Sequence, residues 1–344
     1  MIRRVTMRDI AEKVRMSRAT VSAVLGNKTH CYASEKTKSL IRETAMQMGY
    51  SPNPLACGLK GGRTHTIGLI ESSLQNEVRR QEVVNFTNLL DERNYRLYVA
   101  YYKGEERLLQ IACDDLLSRG CDALVISGKL TEKMYQIIAE ITDPVIVLSS
   151  SPECLKREGE LFSDHSSGTR EALEHLIALN HRHIRMIGKE WDEFNSDLRP
   201  VTFRQVMKQH GLGAKDMLHV LDKESDLTPD FMKVFLRKNP DCTAIFCTND
   251  FLAMRVIQSC SKLGLRVPED MSVIGFDDIS ASVCYNPPLT TVRQPSMEGA
   301  KAGIQMLMNR LENENKPVPR HLLSHLVVRE TTAPPRVRPL PEMK

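Results

Sequence analysis

The sequence predicts an α + α/β protein in which a small three-helix head precedes a two-lobed α/β body built on parallel sheets. Two observations carry this. The first 63 residues hold twelve Lys and Arg against four Asp and Glu, a net charge of +8, whereas the remainder sums to −4. Beyond Gly62, short β-branched runs at 66–70, 97–101, 123–127, 145–148, 184–188, 244–247 and 272–276 alternate with helical stretches, the pattern of parallel strands covered by helices on both faces. That many units suit two lobes with a cleft between them, and clefts at strand ends are natural ligand sites.

Within the head, Thr6, Ser17 and Ser34 each open a helical segment with a hydroxyl that can cap free N–H groups, and Thr6 to Asp9 has the form of a capping box. Leu40, Ile41, Ala45 and Met48 give the third segment a helical apolar stripe that stops at Gly49. The linker 51–63 offers Asn53 as a cap, Pro54 at a first helical position and Gly61-Gly62 as terminator, so it reads as a short helix too weak to persist alone. The expected domains are therefore 1–50, 51–63 and 64–330, the last with lobe 1 at 64–162 and 292–320 and lobe 2 at 163–291 and 321–330. Residues 331–344, rich in proline and basic residues, read as a disordered tail.

Composition also excludes several classes. No run of about 18 apolar residues is present, and Met1-Ile2-Arg3-Arg4 lacks the apolar core of an export signal, so a cytoplasmic protein with no membrane partner is expected. The nine cysteines form no Cys-x-x-Cys pair and read as reduced thiols packed like small apolar groups, with a redox switch as the alternative. His175, His181 and His183 fit no zinc spacing. Nucleophile elbow, phosphate loop and dinucleotide fingerprint are all missing, so neither catalytic residue, metal nor cofactor is expected. A basic head on an acidic body calls for a polyanion at the head.

The run from Thr6 to Leu25 resembles the helix-turn-helix of the lactose-repressor family, and Pro52-Asn53-Pro54-Leu55-Ala56-Cys57-Gly58-Leu59 resembles that family's hinge helix. The resemblance continues through Thr66-Ile67-Gly68-Leu69-Ile70, 164–187, 263–278 and 287–295, which implies a periplasmic-binding-protein-like body. It implies a homodimer on a pseudo-palindromic site in double-stranded DNA, controlled by a small-molecule effector between the lobes. Carried over by position, Thr6, Ser17, Arg18, Ala19, Thr20, Ser22, Ala23, Asn27 and Asn53 would contact DNA, and Leu59 would wedge into the minor groove. Ser72, Ser73, Ser149, Arg199, Asn249 and Asp277 would face the effector. Three departures stand out: Arg15 at a turn position that is usually glycine, Ala23 where arginine is common, and Cys57 at another arginine position. The first βα loop also lacks the aspartate and aromatics frequent there, leaving Phe162, Trp191 or Phe251 to stack a ligand, or a smaller and more polar ligand. No leucine heptads follow residue 330, so a dimer is expected over a tetramer. Rival readings are an effector-free or thiol-sensing body, and a small-molecule binding protein or cleft enzyme.

Overall fold

The computed structural model describes residues 5–26, 33–50, 63–151, 157–189, 197–213 and 217–340, and it divides into two units, Met1–Thr64 and His65–Lys344. In the first unit α1 (Met7–Val14), α2 (Arg18–Leu25) and α3 (Glu35–Gln47) enclose Ile10, Val14, Val21, Val24, Ile41 and Ala45. Their starts are fixed by the hydroxyl caps: Thr6 and Asp9 form the reciprocal box, Thr20 N–H donates to Ser17 Oγ at 3.0 Å, and Thr37 N–H donates to Ser34 Oγ at 3.3 Å. Arg15 ends α1 in the left-handed region, φ 52° and ψ 43°. The turn thus keeps the shape glycine would give it, at a cost of about 1–2 kcal/mol for a residue with a Cβ.

In chain order the second unit runs β1 (Thr66–Glu71), α4 (Glu77–Asp91), β2 (Arg96–Tyr101), α5 (Glu106–Ser118), β3 (Ala123–Ser127), α6 (Glu132–Ala139), β4 (Val145–Ser149) and β5 (Glu160–Asp164). There follow α7 (His165–Ala178), β6 (Ile184–Lys189), α8 (Leu198–Gln209), β7 (Leu218–Leu221), α9 (Pro229–Lys238), β8 (Ala244–Cys247), α10 (Asp250–Lys262) and β9 (Ser272–Asp277). It closes with α11 (Ser280–Cys284), β10 (Thr291–Arg293), α12 (Ser296–Leu311), β11 (His321–Leu323) and β12 (His325–Val327). Two six-stranded sheets result, ordered β11-β5-β4-β3-β1-β2 and β12-β10-β9-β8-β6-β7. Every strand pair is parallel except β10 with β12.

Burial on both faces explains why β1, β3 and β9 are continuously apolar in their interiors rather than alternating. In lobe 1, Phe86, Leu90, Ile304 and Leu307 of α4 and α12 cover one face, while Leu109, Leu116 and Met134 of α5 and α6 cover the other. Lobe 2 is covered by Leu173, Leu176, Phe203 and Val206 of α7 and α8 on one side and by Phe235, Leu252 and Val256 of α9 and α10 on the other.

The chain passes between lobes three times, at Asp164–His165, at Gln294–Pro295 and at Ser324. These crossings correct the expected lobe limits: β5 and β11 extend lobe 1, and β10 joins lobe 2, because each strand continues to its last ladder partner. Gly168 is required where α7 meets them, since a Cβ there would sit 2.3 Å from Val292 Cγ1 and 2.7 Å from Ser324 Oγ.

A second correction concerns the tail. Residues 331–340 are fastened to lobe 2: Val273 N–H donates to Thr331 O at 2.8 Å, and Thr331 Oγ donates to Val273 O at 2.6 Å and accepts from Thr290 N–H at 2.9 Å. Ala333 bonds Ser272 and His181, the Arg336 guanidinium donates to the carbonyls of Pro240, Cys242 and Asp270, and Leu340 packs on the apolar core. Proline composition suggested disorder because it removes ladder donors, but the acceptors that hold Arg336 are invisible in composition. His175 and His183 are likewise engaged, with Thr332 and Asp241. Thr331→Val, nearly isosteric, should leave the Thr290 N–H without its acceptor and lower stability by about 1–3 kcal/mol, to be read from urea unfolding.

Candidate functional site

In the head, α2 turns Val21 and Val24 inward, which leaves Arg18, Ala19, Ser22 and Ala23 together on its open side at helical spacing. Arg18 and Ala19 are exposed, and Thr20, Ser22 and Ala23 are partly so. Ser17 and Thr20 are bonded hydroxyl to hydroxyl at 2.8 Å at the N-terminus, where α2 presents free N–H groups. Thr6 caps α1. Asn27, Asn53 and Leu59 lie outside the described residues.

In the body, the carboxyl ends of the strands of both sheets lead to a cleft by the three crossings. On the lobe 2 wall, Asp197 caps α8 and pairs with Arg199, whose Nε and Nη2 reach the carboxylate at 2.9 and 2.7 Å. Burial alone would raise the Asp197 carboxyl, but the adjacent Arg199 charge outweighs it and holds the group at about 2. The remaining Arg199 nitrogen donates to Thr248 O, and the guanidinium lies over the Phe276 ring at 5.0 Å. Arg199 is thus fully engaged. Asn249 is similarly occupied: its Oδ1 caps α10 through Leu252 N–H at 2.8 Å, and its Nδ2 donates to Glu224 at 2.9 Å.

Asp277 is different. Its φ of 121° and the φ of 53° at Asp278 place two successive side-chain-bearing residues in the left-handed region, where each costs about 1–3 kcal/mol unless its surroundings impose it. Arg329 and Arg293 impose it by gripping the Asp278 carboxylate at 2.6 and 2.7 Å. Asp277 then receives Gln294 Nε2–H at 2.6 Å, and the other end of that amide meets His165 Nε2 at 3.2 Å. Burial first, then the neighbouring charge of Asp250, push the Asp277 carboxyl up to about 7. Burial and then the positive charge of Arg199 push His165 down to about 3, so its imidazole is neutral. Since Gln294 donates to Asp277, its carbonyl accepts from His165, which fixes the Nε2–H tautomer.

Lobe 1 contributes a polar group that sequence reasoning missed. Arg79 Nη1 donates to both oxygens of Glu82, at 3.1 and 2.9 Å, and to Ser127 Oγ at 2.7 Å. Glu71, wholly buried at the end of β1, stands against Glu82, Ser127 and Arg79. Burial, reinforced by the charge of Glu82, pushes it up to about 9. A cavity between the lobes is lined by Arg79, Ser149, Ser150, Ser163, His165 and Gln294, among others. Of the expected effector residues only Ser149 lines it directly, while Asp277 adjoins it through Gln294. Ser73 Oγ is spent on Gln75 N–H at 3.2 Å, and Ser72 lies beside Gly128 and Tyr102. The available signal was a pair of charges, Arg79 and Glu82, around the apolar stripe of α4 that buries Val78, Glu82, Asn85 and Phe86. Across the mouth, Ser280 N–H of lobe 2 donates to Glu77 Oε1 of lobe 1 at 2.7 Å.

Of the aromatic candidates, Phe162 is buried against His321, Phe251 is exposed, and Trp191 lies outside the described residues. Burial pushes the thiols of Cys113, Cys121, Cys242 and Cys260 up to about 12, which makes them poor nucleophiles. Cys284 is exposed, and Cys31, Cys57 and Cys154 are outside the described residues. No helix among the described residues is long and apolar enough to cross a membrane.

A capped three-helix head with one open helix, in the same chain as a two-lobed body with a polar cleft, defines the class of DNA-binding transcription regulators. Residues 6–53 match the bacterial regulatory proteins of the lacI family, and residues 173–332 match the periplasmic binding protein-like domain. The chain is 30% identical to the ribose operon repressor of Escherichia coli (strain K12) over 313 residues, covering 89% of this chain and 93% of that one. It is 28% identical to the HTH-type transcriptional repressor PurR of Haemophilus influenzae over 335 residues, or 95% and 98% of the two chains. A solved lac repressor dimer bound to operator and the anti-inducer ONPF matches with a TM-score of 0.81 and 25% identity, over 96% of this chain and all of that one. The chain belongs to the lacI family of bacterial regulatory proteins.

Glu71 makes a test of the cleft's electrostatics. A carboxyl raised from 4.5 to about 9 on folding keeps its proton in the native state, so its contribution is present at low pH and is lost as pH rises toward about 9. Asp277 acts in the same direction up to about 7, and His165 acts oppositely and only below its ordinary value of 6.5. Glu71→Gln should therefore raise the melting temperature more at about pH 9 than at about pH 6, and equal gains at both would show that Glu71 is ionised in the fold.

Proposed function

We propose that this chain is a cytoplasmic transcriptional repressor, not an enzyme, which binds a pseudo-palindromic operator as a homodimer and alters its affinity when a small polar effector occupies the cleft. The open side of α2 carries the DNA reading: Arg18 is its long cationic side chain, suited to a bidentate contact with guanine, and Ala19 and Ala23 suit thymine methyl groups. Ser17, Thr20 and Ser22 hold phosphates, as does Thr6, with Asn27, Asn53 and the wedging Leu59 assigned on family resemblance. The edge strand β2, which exposes Tyr98, Val99 and Tyr101, supports pairing with a second copy.

Effector control is assigned to the cleft because Asp277, held in a strained backbone by two arginines, meets the inter-lobe crossing through Gln294. Among the described residues of the cleft, Arg199 and Asn249 act as supports for the lobe 2 wall, while on the lobe 1 side Ser149 acts as a direct contact and Ser72 and Ser73 as shapers of the first loop. A ligand switches the protein only to the extent that it binds one lobe arrangement more tightly.

Two outcomes are expected. Arg18→Ala should relax base preference at one symmetric pair of operator positions, at a cost of about 1–3 kcal/mol per half-site, measured by titrating an operator library; uniform weakening across all sequences would remove Arg18 from base reading. Asp277→Asn, with a normal melting transition, should keep operator binding but lose its response to ligand. Arg199→Ala is the poorer probe, because it strands the buried Asp197 carboxylate at a cost of about 3–5 kcal/mol.

A further inference from the structure

We infer that the effector is a small polyhydroxylated carboxylic acid, such as an aldonate or a uronate, whose carboxylate docks on Arg79. This rests on the reading that the effector occupies the cleft between the lobes. Among the described residues, Arg79 uses only Nη1, toward Glu82 and Ser127, which leaves the donors on Nε and Nη2 uncommitted although the side chain is just 19% exposed. A nearly buried guanidinium with two open nitrogens at a cavity matches the two oxygens of a carboxylate, which accepts in a bidentate fork. Arg199, the other guanidinium of the cleft, has no nitrogen to spare, being committed to Asp197 and Thr248. One open cation fits a monoanion better than a phosphate dianion.

The surrounding groups choose among acids. Ser149, Ser150 and Ser163 supply hydroxyls, neutral His165 keeps Nδ1 as an acceptor, and the Gln294 amide keeps a second N–H to donate, a set suited to several ligand hydroxyls. Stacking is not offered by Phe276, whose ring has Arg199 over its face and His165 at its edge, 5.0 and 5.2 Å away. Glu71 stands beside Arg79, Glu82 and Ser127, and while it keeps its proton it competes little for that cation. The acid therefore meets a guanidinium whose ion-pair partner is Glu82, with Glu71 also close enough to act on it.

The test uses the full chain, with thermal shift and calorimetric titration of sodium D-gluconate, D-glucuronate and D-galacturonate against D-glucose, sorbitol, hypoxanthine and glucose 6-phosphate at matched ionic strength. At least one of the three acids is expected to raise the melting temperature. Because Arg79→Gln leaves Glu82 unpaired, the decisive variant is the double substitution Arg79→Gln and Glu82→Gln, which removes the pair together; its affinity for the acid should fall about tenfold or more, the scale of a lost charge-assisted bond. Arg79→Lys, which keeps the charge but not the fork, should recover only part. Binding of an acid to the folded double variant at parental affinity overturns the inference. So does binding of a neutral compound or the phosphate ester alone, and if that binding is lost in Asp277→Asn the cleft reading survives without the acid. Absence of binding by any of the seven compounds, or binding indifferent to Asp277→Asn, defeats both.

Discussion

Everything the body does is constrained by one buried hydroxyl. Ser324, at the third crossing, donates from Oγ to Asp164 O at 2.6 Å and accepts from Gly168 N–H at 3.0 Å, while its own N–H and C=O are both bonded to Ser167 Oγ at 2.9 Å. It thereby ties the first crossing to the third through two serine hydroxyls, and Ser324 N–H also donates directly to Asp164 O at 3.2 Å, a backbone bond that side-chain rotation cannot loosen. Each sheet is assembled from discontinuous stretches of chain, so the two lobes can pivot only about these three strands of backbone. The cavity lies beside that pivot, and Gln294, on the second crossing, touches both Asp277 and His165. A ligand placed there acts close to the hinge, where small displacements become lobe rotation.

The cleft also shows how burial redistributes charge. Asp277 and Glu71, both near the floor, keep or share their protons because water is excluded and another carboxylate stands close by. Asp197, partly withdrawn from water, stays ionised because Arg199 grips it with two nitrogens. Beneath them Asp250, fully buried, accepts from Ile279 N–H, Ser282 Oγ and Thr291 Oγ, joining the start of α10 to the loop that presents Asp277. Gly275 makes room for it, since any Cβ there would overlap its carboxylate. Geometry, not the number of acids and bases, sets the field a ligand meets.

Much of the architecture was legible in the residues themselves. The three head helices begin at the hydroxyls that the capping argument named, Thr6, Ser17 and Ser34, and the β-branched runs at 66–70, 123–127 and 244–247 became strands β1, β3 and β8. Such signals survive because they are local: a cap reaches three residues, and a strand's apolar run is a property of consecutive positions. The sequence also marked Arg15 as a turn residue out of type, and its left-handed φ of 52° shows that the turn keeps the shape glycine would give it.

Other features depended on the assembled sheets. Five strands, β5, β7, β10, β11 and β12, and with them the exchange of β10 and β11 between lobes, escaped the sequence reading, because a strand of three to five residues is defined by the partner it reaches and not by its own pattern. The tail was misread for a related reason: Arg336 is held by carbonyls 66 to 96 residues away. Arg79 was overlooked as one more charge on a helix, since Ser127, which helps orient it, lies 48 residues further on. The sequence by itself determined the caps, the strand runs and the division into a basic head and an acidic body, because these are set by neighbours within a few bonds. Which polar groups share the cleft, and which keep a proton or an open donor there, was decided only when parallel strand order brought distant residues together and shut out the water that would have screened them.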